Sequence, residues 1–174
     1  MKFEQFNFHP SIAAAVQKCG YTVPTPIQLQ AIPHLVQGHD LLGLAQTGTG
    51  KTAAFVLPTL QRLQQGSRKK IRSLILTPTR ELAEQIHENI QQMANGTTLH
   101  SCTIYGGVSK SSQIKNMERG VEIVVACPGR LLDLINSKSV DLTNIEILIL
   151  DEADQMFDQG FLPDIRRILK HVPQ

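Results

Sequence analysis

An open α/β fold, with a mainly parallel sheet flanked by helices, is the class this sequence predicts, and three observations predict it. Short apolar runs recur along the chain, each followed by a longer amphipathic segment. Some runs, Val124-Val125 and Ile147-Leu148-Ile149-Leu150 among them, are apolar without alternation, as in strands covered on both faces. At 174 residues and 41% hydrophobic, the chain can bury one real core. Strand–helix alternation of this kind builds parallel βαβ units.

Taken in order, the first helix signal lies at Thr25, a cap residue with Pro26 at the first helical position and Gly38 past the end. A strand is expected over residues 40–45 and a helix over 51–65, before Gly66. Residues 66–70, Gly-Ser-Arg-Lys-Lys, read as a basic, solvated surface loop. A strand over 73–77 precedes a helix over 79–94, which Asn95-Gly96 ends. Strands follow over 101–105 and 121–126. A helix over 128–136 starts at Pro128 and keeps leucines at helical spacing. The last strand spans 146–150, and a final helix 163–171.

Composition narrows the class. Charged residues make up 18%, and the net charge of +2 leans only weakly toward polyanionic partners. No apolar run approaches the ~18–20 residues of a membrane span. The first ten residues are polar and aromatic, with no charged stretch leading into an apolar core, so they do not read as a signal peptide. Cys19, Cys102 and Cys127 are odd in number and far apart. They match no metal spacing and no disulfide framework, which fits a reducing cytoplasm. Asn95-Gly96-Thr97 has the letters of a glycosylation acceptor but reads as a turn at a helix end.

Two stretches carry chemistry. Ala45-Gln46-Thr47-Gly48-Thr49-Gly50-Lys51-Thr52 follows an expected strand and opens an expected helix, the context of a phosphate-binding loop. Glycines let backbone N–H groups converge on phosphate oxygens, and the helix N-terminus adds positive potential. Lys51 would reach the β- and γ-phosphates of a bound nucleotide, and the Thr52 hydroxyl would ligate Mg²⁺. The general pattern begins with Gly where this chain has Ala45, and the plain alternative is a glycine-rich turn with an exposed lysine. The second stretch is Ile149-Leu150-Asp151-Glu152-Ala153-Asp154. An acid at the end of an apolar strand can hold Mg²⁺ at the carboxyl edge of a sheet, and Asp151 suits that role through water. Glu152 beside it is placed to polarise an attacking water. The alternative is a helix N-terminus carrying acids to suit its dipole.

Asp-Glu-Ala-Asp after a buried strand, with Ala-x-Thr-Gly-x-Gly-Lys-Thr upstream, resembles the DEAD-box RNA helicases, and the resemblance covers essentially the whole chain. It implies a RecA-like, phosphate-loop NTPase domain over 39–174 with a Q-motif region, residues 1–38, packed on it. Gly20-Tyr21-Thr22-Val23-Pro24-Thr25-Pro26-Ile27-Gln28 looks like the Q motif, with Phe3 as its upstream aromatic. Carried over, Gln28 reads the adenine edge, Phe3 packs on the base, and Tyr21 and Thr25 belong to the same nucleotide site with Thr47, Gly48, Thr49, Gly50, Lys51 and Thr52. Two other readings stand beside these. Thr25-Pro26-Ile27-Gln28 is also a capping box, and Phe3, Phe6 and Phe8 are also candidate core anchors.

Three further stretches resemble the family's RNA-facing motifs: Pro78-Thr79-Arg80-Glu81-Leu82-Ala83, Gly106-Gly107, and Ala126-Cys127-Pro128-Gly129-Arg130. Strand-to-helix junctions can hold a phosphate backbone without reading bases, and the resemblance implies that Thr79, Arg80, Gly106, Gly107, Gly129 and Arg130 are RNA contacts; without it each stretch reads as a turn and a helix cap. The family has Thr where this chain has Cys127, and a thiol is a weaker cap and a weaker donor. The resemblance further implies a Ser-Ala-Thr strand, lying between the phosphate-loop strand and the Asp-Glu-Ala-Asp strand, and a second RecA-like domain that supplies arginines for phosphoryl transfer. Neither is expected within these residues, so strands 40–45 and 146–150 would lack a shared neighbour. The expected parent is an ATP-dependent RNA helicase of the cytoplasm. The alternatives are a non-catalytic nucleotide- or RNA-binding fragment, and another phosphate-loop ATPase such as a DNA helicase.

Overall fold

The structure is a computed structural model that describes residues 2–173; Met1 and Gln174, the outer ends of the expected domain spans, lie outside the described residues. The chain divides into two compact units. One holds the residues up to Gly66 together with Glu88–Leu99, and the other holds Ser67–His87 together with the chain from His100.

The first unit is helical. A 3₁₀ turn, Phe3–Phe6, leads to α1 (Pro10–Lys18), α2 (Pro26–Val36) and α3 (Lys51–Leu63). Proline opens α1 and α2, where its missing N–H and fixed φ cost nothing. The helix α1 carries no Ser, Thr, Asp or Asn cap. His9 takes that place, its Nδ1 accepting from Ser11 N–H at 3.4 Å, so this helix starts without an ordinary cap signal. Ile12, Val16, Ile32, Val56, Leu57 and Leu60 are buried, and α2 packs along α3.

The strand expected over 40–45 is not formed. Leu42 is 90% and Leu44 is 88% exposed, and no described residue pairs with this segment. Its apolar pattern marks it as strand-like, but a strand is satisfied only by a neighbour that takes its backbone bonds.

The second unit is the α/β layer. It holds β1 (Ser73–Leu76), the start of α4 (Arg80–Met93), β2 (Ser101–Ile104), α5 (Lys110–Glu118), β3 (Ile123–Ala126), α6 (Pro128–Asn136), β4 (Ile147–Leu150), α7 (Ala153–Asp158) and α8 (Leu162–Leu169). The 4-stranded sheet has order β2-β3-β1-β4, and every pairing is parallel. Thus the expected open α/β class holds. β1 and β3 are buried throughout, as apolar strands inside a parallel sheet must be. β4, expected to be covered on both faces, is half-buried because it ends the described sheet. Under the sheet, Leu131, Leu134 and Ile135 of α6 meet Ile165 and Ile168 of α8 in one core. Each such side chain contributes about 1.5–3 kcal/mol.

At the amino end of the strands a polar network fixes the unit. Arg72 makes a forked pair with Glu146, at 2.5 Å through Nε and 3.0 Å through Nη2. Buried Glu122 accepts from Lys69 N–H at 2.7 Å and from His100 N–H at 2.9 Å. None of the helices among the described residues is long and apolar enough to cross a membrane.

Candidate functional site

The first unit carries the phosphate-loop stretch. Gly50 caps α3 with φ +89, and no side chain caps this helix end. Among the described residues its first N–H groups find no intrahelical or side-chain partner, which is the arrangement that lets a helix start bind an anion. The loop is closed by Thr49 Oγ1 donating to Gln46 O at 2.7 Å, and Gly48 sits at φ +80. Lys51 and Thr52 are half-buried on the first turn. Gln28 holds the loop from outside it. This side chain is 1% exposed; its Nε2 donates to Gly50 O at 3.1 Å and its Oε1 accepts from Thr25 N–H at 2.9 Å. A Cβ at Gly50 would come within 2.5 Å of Gln28 Nε2, so glycine is required there for space as well as for φ. The returning half of the capping box is thus made. The Thr25 hydroxyl lies toward the helix start but is buried without a hydrogen bond of good geometry.

Phe3 is 6% exposed, with Phe6 edge-on and Tyr21 tilted, both at 5.8 Å between ring centroids. It anchors the unit as a core residue, yet it also lines a cavity of about 460 Å³ together with Phe8, Val16, Gln17, Tyr21 and Thr22. Burial, and then the nearby Cys19, push the Tyr21 phenol above its ordinary range, so it stays protonated at neutral pH.

The second unit carries the other stretches, and the strand register sets their order. Leu76 is level with both Ala126 and Leu150, and Ile104 is level with Ala126. All four strands therefore end at one height. The residues that follow them form a row along the carboxyl edge: Tyr105, Cys127, Thr77, Asp151. Neighbouring strands lie about 4.8 Å apart, so the row spans about 14 Å. Asp151 N–H extends the ladder to Leu76 O at 2.9 Å. Glu152 follows in the left-handed region, φ 52 and ψ 49, as the N-cap of α7. A non-glycine residue there costs about 1 kcal/mol, and such strain gathers at functional positions.

The three expected RNA junctions are also local structure. Thr79 Oγ1 accepts from Leu82 N–H at 3.2 Å, capping α4, and its own O–H stays available as a donor. The exposed Arg80 guanidinium stands 5.0 Å over the Tyr105 ring. A hydrogen bond to Glu84, with burial second, holds the Tyr105 phenol above its ordinary range. Arg130 Nη1 donates to Val108 O at 3.0 Å and to Gln113 Oε1 at 3.1 Å. Gln113 Nε2 donates to Tyr105 O at 3.0 Å. A Cβ added at Gly106, Gly107 or Gly129 would meet nothing within 4 Å, so no packing inside the chain demands glycine at these points. Cys127 precedes α6 without a side-chain cap bond, and burial, then Glu81, push its thiol up to about 11.

Sequence reasoning missed Tyr105, Gln113 and Glu84. An aromatic beside two glycines was a usable signal for Tyr105. A glutamine inside a polar helix gave none for Gln113. Among the described residues no group of three or more His, Cys, Asp or Glu side chains is placed to hold a metal ion.

A family model described as DEAD/DEAH box helicase matches residues 25–174. The chain is 46% identical over 174 residues to the DEAD-box ATP-dependent RNA helicase CshA of Streptococcus pneumoniae, covering 100% of this chain and 33% of that protein. It is 44% identical over 172 residues to the ATP-dependent RNA helicase CshA of Listeria monocytogenes, covering 99% of this chain and 33% of the relative. It is 43% identical over 176 residues to the DEAD-box ATP-dependent RNA helicase 14 of Arabidopsis thaliana, covering 99% and 28%. The chain spans about a third of the length of the curated relatives it matches, 33% and 28% in these cases.

Proposed function

We infer function from one premise: the chain belongs to the DEAD/DEAH box helicase family. On that premise we propose that it is the ATP-binding domain of an ATP-dependent RNA helicase. In this reading, hydrolysis of ATP to ADP and phosphate is coupled to RNA binding and local strand separation. The observation that carries the proposal is the row at the carboxyl edge of the sheet. It sets three glycine- or arginine-bearing junctions along the same edge as the strand that leads into Asp151-Glu152.

In this reading the uncapped end of α3, with Gly48, Gly50 and Lys51, binds the phosphates of ATP. Thr47 and Thr49 shape the loop around them. Gln28 reads the adenine with the N–H and the lone pair that its two protein bonds leave over, while Phe3 and Tyr21 supply flat apolar surface and Thr25 holds Gln28 in register. The Thr52 hydroxyl and, through water, the Asp151 carboxylate would be the oxygen donors for Mg²⁺, a hard cation that takes one or two protein oxygens beside phosphate and water. Bound there, Mg²⁺ would neutralise charge on the β- and γ-phosphate oxygens. Glu152, pinned by its backbone conformation, orients the attacking water. Thr79, Arg80, Gly106, Gly107, Gly129 and Arg130 hold the sugar–phosphate backbone of RNA, with little base specificity. A second RecA-like domain of the full-length protein supplies the arginines that complete phosphoryl transfer, and the setting is the cytoplasm.

Titration of a single-stranded RNA oligonucleotide with and without a non-hydrolysable ATP analogue tests the coupling. RNA affinity of the full-length protein is expected to rise with the analogue and to lose that rise in Lys51→Ala. Equal RNA affinity in both conditions would remove the coupling from the account.

A further inference from the structure

We propose that Gln113 is a positioning residue for RNA, holding the Gly106-Gly107 turn and the Arg130 guanidinium in one fixed geometry without touching RNA itself. The inference rests on the reading above, in which that turn and that arginine meet the RNA backbone.

Gln113 lies on α5 and is 5% exposed, unusual for a glutamine on a helix with little apolar surface. Both ends of its carboxamide are engaged. Nε2 donates to Tyr105 O at 3.0 Å, and Oε1 accepts from Arg130 Nη1 at 3.1 Å. Arg130 Nη1 also donates to Val108 O at 3.0 Å. Tyr105 and Val108 are the residues that flank the two glycines. A single glutamine–arginine couple therefore grips the turn by the carbonyls on both sides of it. A carboxamide suits this place because it donates to a carbonyl and accepts from a guanidinium within one plane.

The grip matters because little else constrains the turn. Two successive glycines have the widest backbone freedom of any pair. Their outward faces are open, since an added Cβ at either meets nothing within 4 Å. A loose turn would have to be ordered at the moment of binding, and that ordering would subtract from affinity. The same bonds aim Arg130. With Nη1 committed inward, Nη2 and Nε have no partner among the described residues and keep their N–H groups for a phosphate. The arrangement extends to Arg80, whose guanidinium rests on the ring of Tyr105, the residue whose carbonyl Gln113 holds.

The test uses Gln113→Met in the full-length protein, which keeps the side-chain volume and deletes both hydrogen bonds. Three quantities are read: affinity for a single-stranded uridine oligonucleotide across a salt series, affinity for ADP, and hydrogen exchange at residues 106–109. RNA affinity is expected to fall about tenfold, the worth of one to two hydrogen bonds. The salt slope is expected to stay unchanged, whereas Arg130→Ala lowers it by about one. ADP affinity holds, and exchange at 106–109 quickens. Gln113→Glu, which retains the acceptor for Arg130 and loses the donor to Tyr105 O, is expected to fall between. Native RNA affinity in Gln113→Met, or an equal loss of RNA and ADP affinity, would overturn the inference while leaving the RNA-binding reading of the protein standing. If the unmutated protein fails to bind the oligonucleotide, the RNA reading falls and this inference with it.

Discussion

The Gln28 carboxamide donates to Gly50 O and accepts from Thr25 N–H, which leaves one N–H and one lone pair unused. That remainder matches the donor–acceptor edge of adenine and not that of guanine. ADP is therefore expected to bind at least about tenfold more tightly than GDP. Gln28→Ala should erase the difference and lower stability by about 1–2 kcal/mol through the lost capping bond. Equal affinities for ADP and GDP in the unmutated chain, measured by titration, would leave Gln28 as a cap alone. At Glu152 the backbone is left-handed whichever side chain it carries, so Glu152→Gln should hardly move the melting point. ATP should still bind, while turnover of the full-length protein should drop at least about a hundredfold. A turnover near the native rate would take the water-orienting role from Glu152.

Two elements show how a single position governs a segment. Cys127 leads into α6 without capping it, whereas a threonine hydroxyl there could accept from the helix N–H groups. Cys127→Thr is expected to stabilise the unit by about 1 kcal/mol in a urea melt. The thiol also makes a pH signature. Burial raises Cys127 from the ordinary 9.0 to about 11 and Cys102 to about 12, so the folded state prefers both thiols neutral. Their contribution is fully present below pH 9.0 and is lost as pH rises through about 11 and about 12. Cys127→Thr should weaken that alkaline decline, and an unchanged decline would assign it to other groups. Segment 40–45 is the opposite case, a strand-like sequence without strand structure. Its amides should exchange quickly in this chain and slowly in the full-length protein if that protein carries the neighbouring strand the resemblance implies. Slow exchange in both would show that it finds a partner unaided.

These elements also show what the sequence could tell. The helix from Pro128 to Asn136 was legible to the residue, because proline marks its start and leucine spacing marks its buried face. Strand cores were legible from apolar runs, with edges off by a residue or two where the last residue turns into a junction. Residues 40–45 were misread because local pattern records what a segment can do, whereas pairing depends on distant chain. Helix α1 was hidden by its histidine cap and α5 by its lack of apolar rhythm. In the candidate site, motif residues could be picked out one by one as candidates. Their second roles, such as Gln28 on Gly50 or Arg130 on Val108, arise only from contacts between segments 22 residues apart.

Across the whole molecule, each unit is held by its own means. The helical unit relies on apolar packing of α2 along α3. The sheet unit adds the network at the amino end of its strands, where Arg72, only 3% exposed, is forked onto Glu146. Glu146→Ala would remove the forked carboxylate from that guanidinium and is expected to cost about 2 kcal/mol, discounted because Glu146 is itself half-exposed. A urea melt of the sheet unit's transition measures it, and a change below about 0.5 kcal/mol would mean that solvent replaces the carboxylate. This network lies at the opposite end of the strands from Asp151 and the junctions, so the same substitution should leave ADP affinity unchanged.

The central proposal is that nucleotide hydrolysis and RNA binding are coupled in the full-length protein, with the Gly50–Thr52 helix start, Asp151-Glu152 and the junction row each taking a part. Steady-state ATP hydrolysis by the full-length protein, measured with and without single-stranded RNA, tests it most directly. The account predicts turnover that RNA stimulates at least about tenfold and that either Lys51→Ala or Glu152→Gln abolishes. Turnover indifferent to RNA, or surviving the Glu152→Gln substitution, would contradict it.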